Sequence, residues 1–243
     1  MGSVAGPRGE IHSAAMPEPI PIIGGTGALG WGLALRLARV GQSVVIGSRS
    51  AERAGEAVAR LREAAPDAEA EGLVNTDAAR RGPVVFLTVP FRAQSENLNN
   101  LHEALEPGQI LVDCTVPTAA AVSGKATRSL GVWQGSAAQQ AQEMVPDGVT
   151  VVAALHTVSA PMLGDPDEDL DEDVLICGDR KADKARVARI VGLVPGLRAV
   201  NAGALEMARI VEQLTPLLIS INARYKTHAG IRIAGLPDGD PWE

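Results

Sequence analysis

Gly25, Gly27 and Gly30 stand at G-x-G-x-x-G spacing, after a short apolar run, Pro21-Ile22-Ile23-Gly24. A helical pattern, Trp31-Gly32-Leu33-Ala34-Leu35-Arg36-Leu37-Ala38, follows at once. A strand, a glycine turn and a helix in that order form a dinucleotide fingerprint. Gly25 is expected to permit the tight turn, Gly27 to let backbone approach a pyrophosphate, and Gly30 to let the helix pack on the strand. Thr26, Ala28 and Leu29 complete the turn, where the free N–H groups and partial positive charge of a helix start attract an anion.

A second strand ends at Gly47-Ser48-Arg49-Ser50. An NAD site places an acid there, roughly 20 residues into the unit, to bond the ribose hydroxyl. This chain has none. Ser48 offers a hydroxyl, Arg49 a planar fork for a 2′-phosphate, and Arg53 a further charge one turn into the next helix. These residues favour NADP, with Thr26 as another hydroxyl candidate.

Thr88, Val89 and Pro90 follow the fourth strand and suit the cofactor's nicotinamide end, Val89 and Pro90 as apolar walls. His156 closes another apolar run and reads either as a partner for an anionic ligand or as a structural histidine. Arg209, Glu212, Gln213 and Thr215 share a long C-terminal helix, where Arg209 and Glu212 have the spacing of a surface ion pair, or the set forms a cofactor-facing wall of the cleft. No Ser-His-Asp order, metal motif or Gly-Lys-Ser/Thr phosphate loop is present. Hydride transfer needs none of these: two rings must be held face to face in a dry site.

The elements that must position these residues alternate. Strands are expected at 20–24, 43–47, 72–75, 83–90, 109–115, 150–156, 173–178 and 197–200. Helices are expected at 30–40, 50–65, 92–105, 135–144, 181–193 and 204–225, the last broken or kinked near Pro216. Ser50 is a plausible helix cap, Gly41 a plausible helix stop, and Asn75-Thr76-Asp77 a brief helical turn. The pattern predicts an α/β fold: a Rossmann-type, doubly wound, mostly parallel sheet with a smaller C-terminal helical or mixed domain. Residues 1–18 read as a flexible lead-in, 19–158 as the NADP-binding domain and 159–243 as the smaller domain closing the cleft.

The chain has 243 residues, 46% of them hydrophobic, enough for a substantial core. Its formal charge of −7 argues against nucleic acid or an anionic membrane as the main partner. No run is long enough to span a bilayer. The two cysteines, Cys114 and Cys177, lie in apolar runs without a pairing or metal pattern, which fits a reducing compartment such as the cytoplasm.

With these residues in view, the chain resembles the NADPH-dependent reductases of the deazaflavin coenzyme F-420. The matching stretches are Gly24–Gly30 with the following helix, Val45-Ile46-Gly47-Ser48-Arg49, Leu87-Thr88-Val89-Pro90, Ala154-Leu155-His156-Thr157, Ile176-Cys177-Gly178-Asp179 and Arg209 to Leu217. The resemblance implies reversible hydride exchange between the nicotinamide C-4 and the deazaflavin C-5. It implies that Thr26, Ser48, Arg49 and Arg53 hold the NADP phosphate, and that His156 and Val158 lie on the deazaflavin side, where Arg209 and Thr215 of the long helix are also expected to bind substrate. It also implies a homodimer. Val158 is smaller than the residue familiar at its position, and Ala28 stands where Asn is common. Two other classes fit the fingerprint alone. One is a related NADP reductase, of the pyrroline-5-carboxylate reductase or β-hydroxyacid dehydrogenase type, for which Tyr225 and Lys226 are candidate acid/base groups. The other is a non-catalytic NADP-binding sensor or metalloreductase-like domain.

Overall fold

The computed structural model describes residues 18–237 and residue 242; the expected lead-in at 1–18 lies almost wholly outside them. The first strand, β1 (Ile20–Ile23), is buried along its length. It leads through the glycine turn into α1 (Ala28–Arg39), then β2 (Val44–Ser48), α2 (Ala51–Ala64), β3 (Ala70–Val74), α3 (Asn75–Ala79), β4 (Val84–Leu87) and α4 (Gln94–Leu101). Next come β5 (Ile110–Asp113), α5 (Ala137–Met144), β6 (Thr150–Ala153), α6 (Ala160–Gly164), β7 (Glu172–Cys177), α7 (Lys181–Gly192), β8 (Leu197–Gly203) and α8 (Ala208–Tyr225).

The eight strands form one sheet in the order β3-β2-β1-β4-β5-β6-β7-β8. The first six are parallel, and β1 lies between β2 and β4. The strand order therefore reverses at β1–β4, and a ligand crevice opens beyond the carboxyl ends there. Alternate side chains feed two cores. Ile22, Phe86, Val112 and Val152 face one layer of helices, and Ile23, Leu87, Leu111 and Val151 the other. Burial on both faces explains why these strands read as continuous apolar runs. The fold is the Rossmann-type α/β arrangement, followed by a C-terminal helical region.

The sheet continues past residue 158. β7 pairs antiparallel with β6 at a single register position, Ala153 with Cys177, while β7 and β8 run parallel over six. Both residues of that single pair end their strands, so the body of β7 stands beyond the carboxyl edge of β6.

Several elements differ from the expectations. β6 stops at Ala153 rather than at His156, because Leu155 takes a left-handed φ of +66° that ends the extended chain. The residues before Gln94 form a 3-10 turn, Phe91–Ala93, rather than the start of the helix. Helix α8 is not broken at Pro216: it runs through, with Pro216 itself buried. Helix α6 was not anticipated. It packs on α1 so closely that a Cβ at Gly32 would lie 2.8 Å from the Gly164 nitrogen. Arg36 secures the contact, its guanidinium donating to the Leu163 carbonyl at 3.1 Å and to the Met162 carbonyl at 2.9 Å.

Candidate active site

At the glycine turn the left-handed residue is Gly24, with φ +76°. Gly25 makes the turn in another way. Its N–H donates to the Ile22 carbonyl at 3.1 Å and to the Gly47 carbonyl at 3.0 Å, stitching the turn to the end of β2. Gly30 meets the expectation of close packing: a Cβ there would fall 2.8 Å from the Gly25 Cα and 2.9 Å from the Gly24 carbonyl oxygen. Thr26, Gly27 and Ala28 are exposed, while Leu29 is half-buried. Helix α1 has no side-chain cap and no acid in its first turn. Its leading N–H groups thus face an open, side-chain-poor cradle, the surface a pyrophosphate requires.

The Gly25–Gly47 bond brings the end of β2 beside that cradle. Ser48 is buried and its hydroxyl accepts from the Ser50 N–H at 3.4 Å, shaping the loop that carries Arg49. Ser50 caps α2 by accepting from the Arg53 N–H at 3.4 Å. Arg49 and Arg53 are exposed, and neither guanidinium has a partner among the described residues. Two unpaired cations beside an amide-lined turn fit a phosphate-bearing dinucleotide.

Thr88 is buried, and its hydroxyl donates to the Ile23 carbonyl at 2.8 Å. Its side chain therefore supports the turn from beneath. Val89 packs against Gly24, with a Cγ 2.7 Å from where a Cβ of Gly24 would lie, and Pro90 is exposed at the strand exit.

A different chemistry occupies the neighbouring strand ends. Asp113 ends β5 and is wholly buried. It accepts from Gln94 Nε2 at 3.1 Å and from the Thr115 hydroxyl at 3.1 Å. Gln94 Nε2 also donates to the Thr115 Oγ1 and to the Ala137 carbonyl, both at 2.9 Å, and its own Oε1 accepts from Gln140 at 2.7 Å. Glu212 is buried too, and does not form the expected surface pair with Arg209. Its two oxygens accept from the N–H groups of Ala137 and Ala138 at 3.0 and 3.1 Å, which clamps α8 onto the N-terminus of α5. His156 lies between these carboxyls, 5% exposed, with no hydrogen-bond partner at either ring nitrogen. Ligand atoms of Asp113, His156 and Glu212 all lie within 4.8 Å of one another.

Burial governs the charge here. It pushes the Asp113 carboxyl up to about 7 against the opposing bonds from Gln94 and Thr115. It lowers the His156 imidazole to about 4, leaving the ring neutral at pH 7. Glu212 rises to about 8, first through burial and further through the nearby Asp113 charge, against its two amide bonds.

Of the other expected residues, Val158 is buried and Arg209 exposed. Thr215 is half-buried and donates to the His156 carbonyl at 2.7 Å, so α8 grips the His156 segment by its backbone. Sequence reasoning missed Gln94 and Asp113 altogether and left Glu212 open between a surface ion pair and a cleft wall; its burial rules out the surface pair. The one local cue was an acid ending the apolar run Ile110-Leu111-Val112.

The family model for NADP oxidoreductase, coenzyme F420-dependent, matches residues 19–117. The F420-dependent NADP reductase of Methanothermobacter thermautotrophicus is 41% identical over 227 residues, covering 92% of this chain and 97% of the relative. The chain belongs to the F420-dependent NADP reductase family. The reductase of the same name from Methanocaldococcus jannaschii is 40% identical, with 89% and 98% covered. A solved protein of Arthrobacter sp. fb24, assigned as an F420-dependent NADP reductase, superposes with a TM-score of 0.71 at 25% identity, over 89% of this chain and 99% of that one. Membership makes this reductase an NADP-dependent oxidoreductase. The family model ends before β6, so the His156 and Glu212 segments of the reductase are matched only by the full-length relatives.

Proposed function

We propose that this chain transfers a hydride reversibly between NADPH and the deazaflavin coenzyme F-420, directly from the nicotinamide C-4 to the deazaflavin C-5. The carrying observation is the amide-lined turn at Gly24–Gly30 with the unpaired Arg49 and Arg53 at its side. The two coenzymes, when bound, supply the hydride chemistry. The chain's part is position. Gly25, Thr26, Gly27, Ala28, Leu29 and Gly30 hold the pyrophosphate, and Ser48, Arg49 and Arg53 hold the 2′-phosphate. Val89 and Pro90 wall the nicotinamide, while Thr88 keeps the turn in place. His156 and Thr215, joined through the His156 carbonyl, form with Val158 and Arg209 the side facing the deazaflavin. Residues 159–243 act as the smaller unit that closes this cleft, and exclusion of water brings the rings into reacting distance.

The related-reductase reading needs an acid/base group at the end of α8. Tyr225 is 76% exposed there and Lys226 has left the helix in a left-handed conformation, which favours the deazaflavin reading.

The test mixes protein, NADPH and oxidised F-420 and follows the deazaflavin absorbance. Bleaching is expected; no bleaching, with NADPH binding shown separately, would sink the proposal. We read the exposed apolar residues of α8, Ile210 and Leu217, as the contact with a second copy in a homodimer. Light scattering on eluted protein should then give twice the chain mass of 25.2 kDa. Two free, buried cysteines agree with residence in the cytoplasm.

A further inference from the structure

The Asp113–His156–Glu212 cluster is assembled from three separate segments: the end of β5, the exit of β6 and the second turn of α8. Each carboxylate is oriented from outside. Gln94 and Thr115 hold Asp113, and the first two N–H groups of α5 hold Glu212. Every one of those donors belongs to a residue outside the cluster. None comes from the third member of the cluster, and both His156 nitrogens are left idle.

Such an arrangement is costly without an occupant. Unpaired polar atoms are seldom buried, and two carboxyls facing each other repel when ionised. No Lys or Arg donates to either carboxyl: among the described residues their hydrogen-bond donors are Gln94, Thr115, Ala137 and Ala138. The backbone adds a second cost. Leu155, a bulky residue at φ +66°, takes a conformation that L side chains rarely adopt, and it immediately precedes His156. The strain delivers the imidazole to a place where the polypeptide gives it nothing to bond.

A divalent cation answers each of these features. It takes one imidazole nitrogen and one oxygen from each carboxylate, and its two positive charges offset their two negative ones. Ligand atoms about 2.0–2.2 Å from a common zinc ion lie some 3–4 Å from one another, within the 4.8 Å limit that holds for these three residues. Metal-bound carboxylates are normally fixed by outer hydrogen bonds, as both of these are. A mixed imidazole and carboxylate set suits zinc better than calcium or magnesium, which take oxygen ligands.

We propose that Asp113, His156 and Glu212 form a binding site for one divalent transition-metal cation, with Zn²⁺ the metal that best matches the donor set. The ion ties the carboxyl ends of β5 and β6 to α8, and through Glu212 to the start of α5. It braces the wall of the cleft that carries His156 and takes no part in moving the hydride; metal content and Co²⁺ absorption are read without the deazaflavin, so their failure is distinguishable from failure of that assignment.

The experiment uses the full-length protein, stripped with dipicolinate at neutral pH and reloaded with Zn²⁺. Metal analysis after exhaustive dialysis is expected to give one zinc per chain. The melting temperature should rise by about 5–10 °C once free zinc exceeds the dissociation constant a hundredfold. Loading with Co²⁺ instead should give visible absorption bands of a ligated ion, and these should be absent from His156→Gln. Asp113→Asn should lose the retained zinc as well. Less than one zinc per chain, no melting shift, or equal retention by wild type and His156→Gln would overturn the proposal and leave a proton-sharing cluster, or an adventitious ion on the exposed histidines. If both variants fail to fold, the Co²⁺ spectrum of the wild type decides: colourless protein at saturating Co²⁺ overturns the site.

Discussion

The cradle at β1–α1–β2 and the cluster at β5–β6–α8 are neighbours on one sheet edge, yet they handle charge in opposite ways. The first keeps its cations in solvent and offers backbone amides. Arg49 and Arg53 stay hydrated until an anion arrives, so readiness to bind is cheap. The second keeps its carboxyls and imidazole out of water and commits distant elements to hold them. Chemistry done by local backbone can be built from one short stretch of chain. Chemistry done by buried side chains needs the whole fold to be in place first.

Removing a carboxyl from the buried side tests that contrast most severely. Glu212→Ala strips two buried N–H groups of their acceptor and should cost about 2–5 kcal/mol of unfolding free energy. Urea denaturation would measure it. A loss below 1 kcal/mol would mean that the clamp between α8 and α5 is incidental.

The second effect in size is a pH dependence. Glu172, on β7, is 5% exposed, and burial raises its carboxyl to about 7 from an ordinary 4.5, against a backbone bond from Ser159. Between those values the folded chain holds a proton that the unfolded chain has released. Its contribution to stability is therefore full below about pH 4.5 and drains away as pH rises through 7, by about 2–3 kcal/mol. In Glu172→Gln that part of the slope should go, leaving the part that Asp113 and Glu212 contribute with the same sign. Unchanged pH profiles of stability for the two proteins would show that β7 does not share the buried character of the cluster.

On the open side, Arg49→Ala should weaken NADPH by roughly 30-fold, about 2 kcal/mol, while NADH binding and thermal stability stay as they are. Fluorescence titration of both nucleotides checks this, and equal loss for the two would remove the 2′-phosphate assignment. The smallest effect belongs to Ser50→Ala, which deletes the cap of α2 at a cost of about 1 kcal/mol. A loss of several kcal/mol there would blur the distinction between the two regions.

The same distinction explains how much was legible in the sequence. The Gly25–Gly30 spacing, the missing acid after Gly47 and the Ser50 cap are signals within a few residues of one another, and they placed the cradle on its strand and helix correctly. What the spacing did not show is that the left-handed glycine of the turn is Gly24. The buried cluster left no such trace. Asp113 read as the end of a strand, and Glu212 as either half of a surface ion pair or part of a cleft wall, because helical spacing shows which residues are neighbours along the helix but not which face is covered. Helix α6 was missed because five residues carry too little periodicity to stand out, and its close seat on Gly32 is a tertiary fact. The strand at 150–156 was drawn too long because apolar residues continue past Ala153, although Leu155 has already turned the chain.

The single pairing of Ala153 with Cys177 leaves the β6–β7 seam held mainly by the side chains of the two cores that run across it. Sub-global opening is then expected to follow this seam, separating unequal blocks, β1–β6 and β7–β8. Cys177 lies on it, and its thiol is fully covered while the seam is closed. Its alkylation under mild denaturant becomes a clock for that event, and deuterium uptake should reach the amides of β7 and β8 before those of β1 and β4.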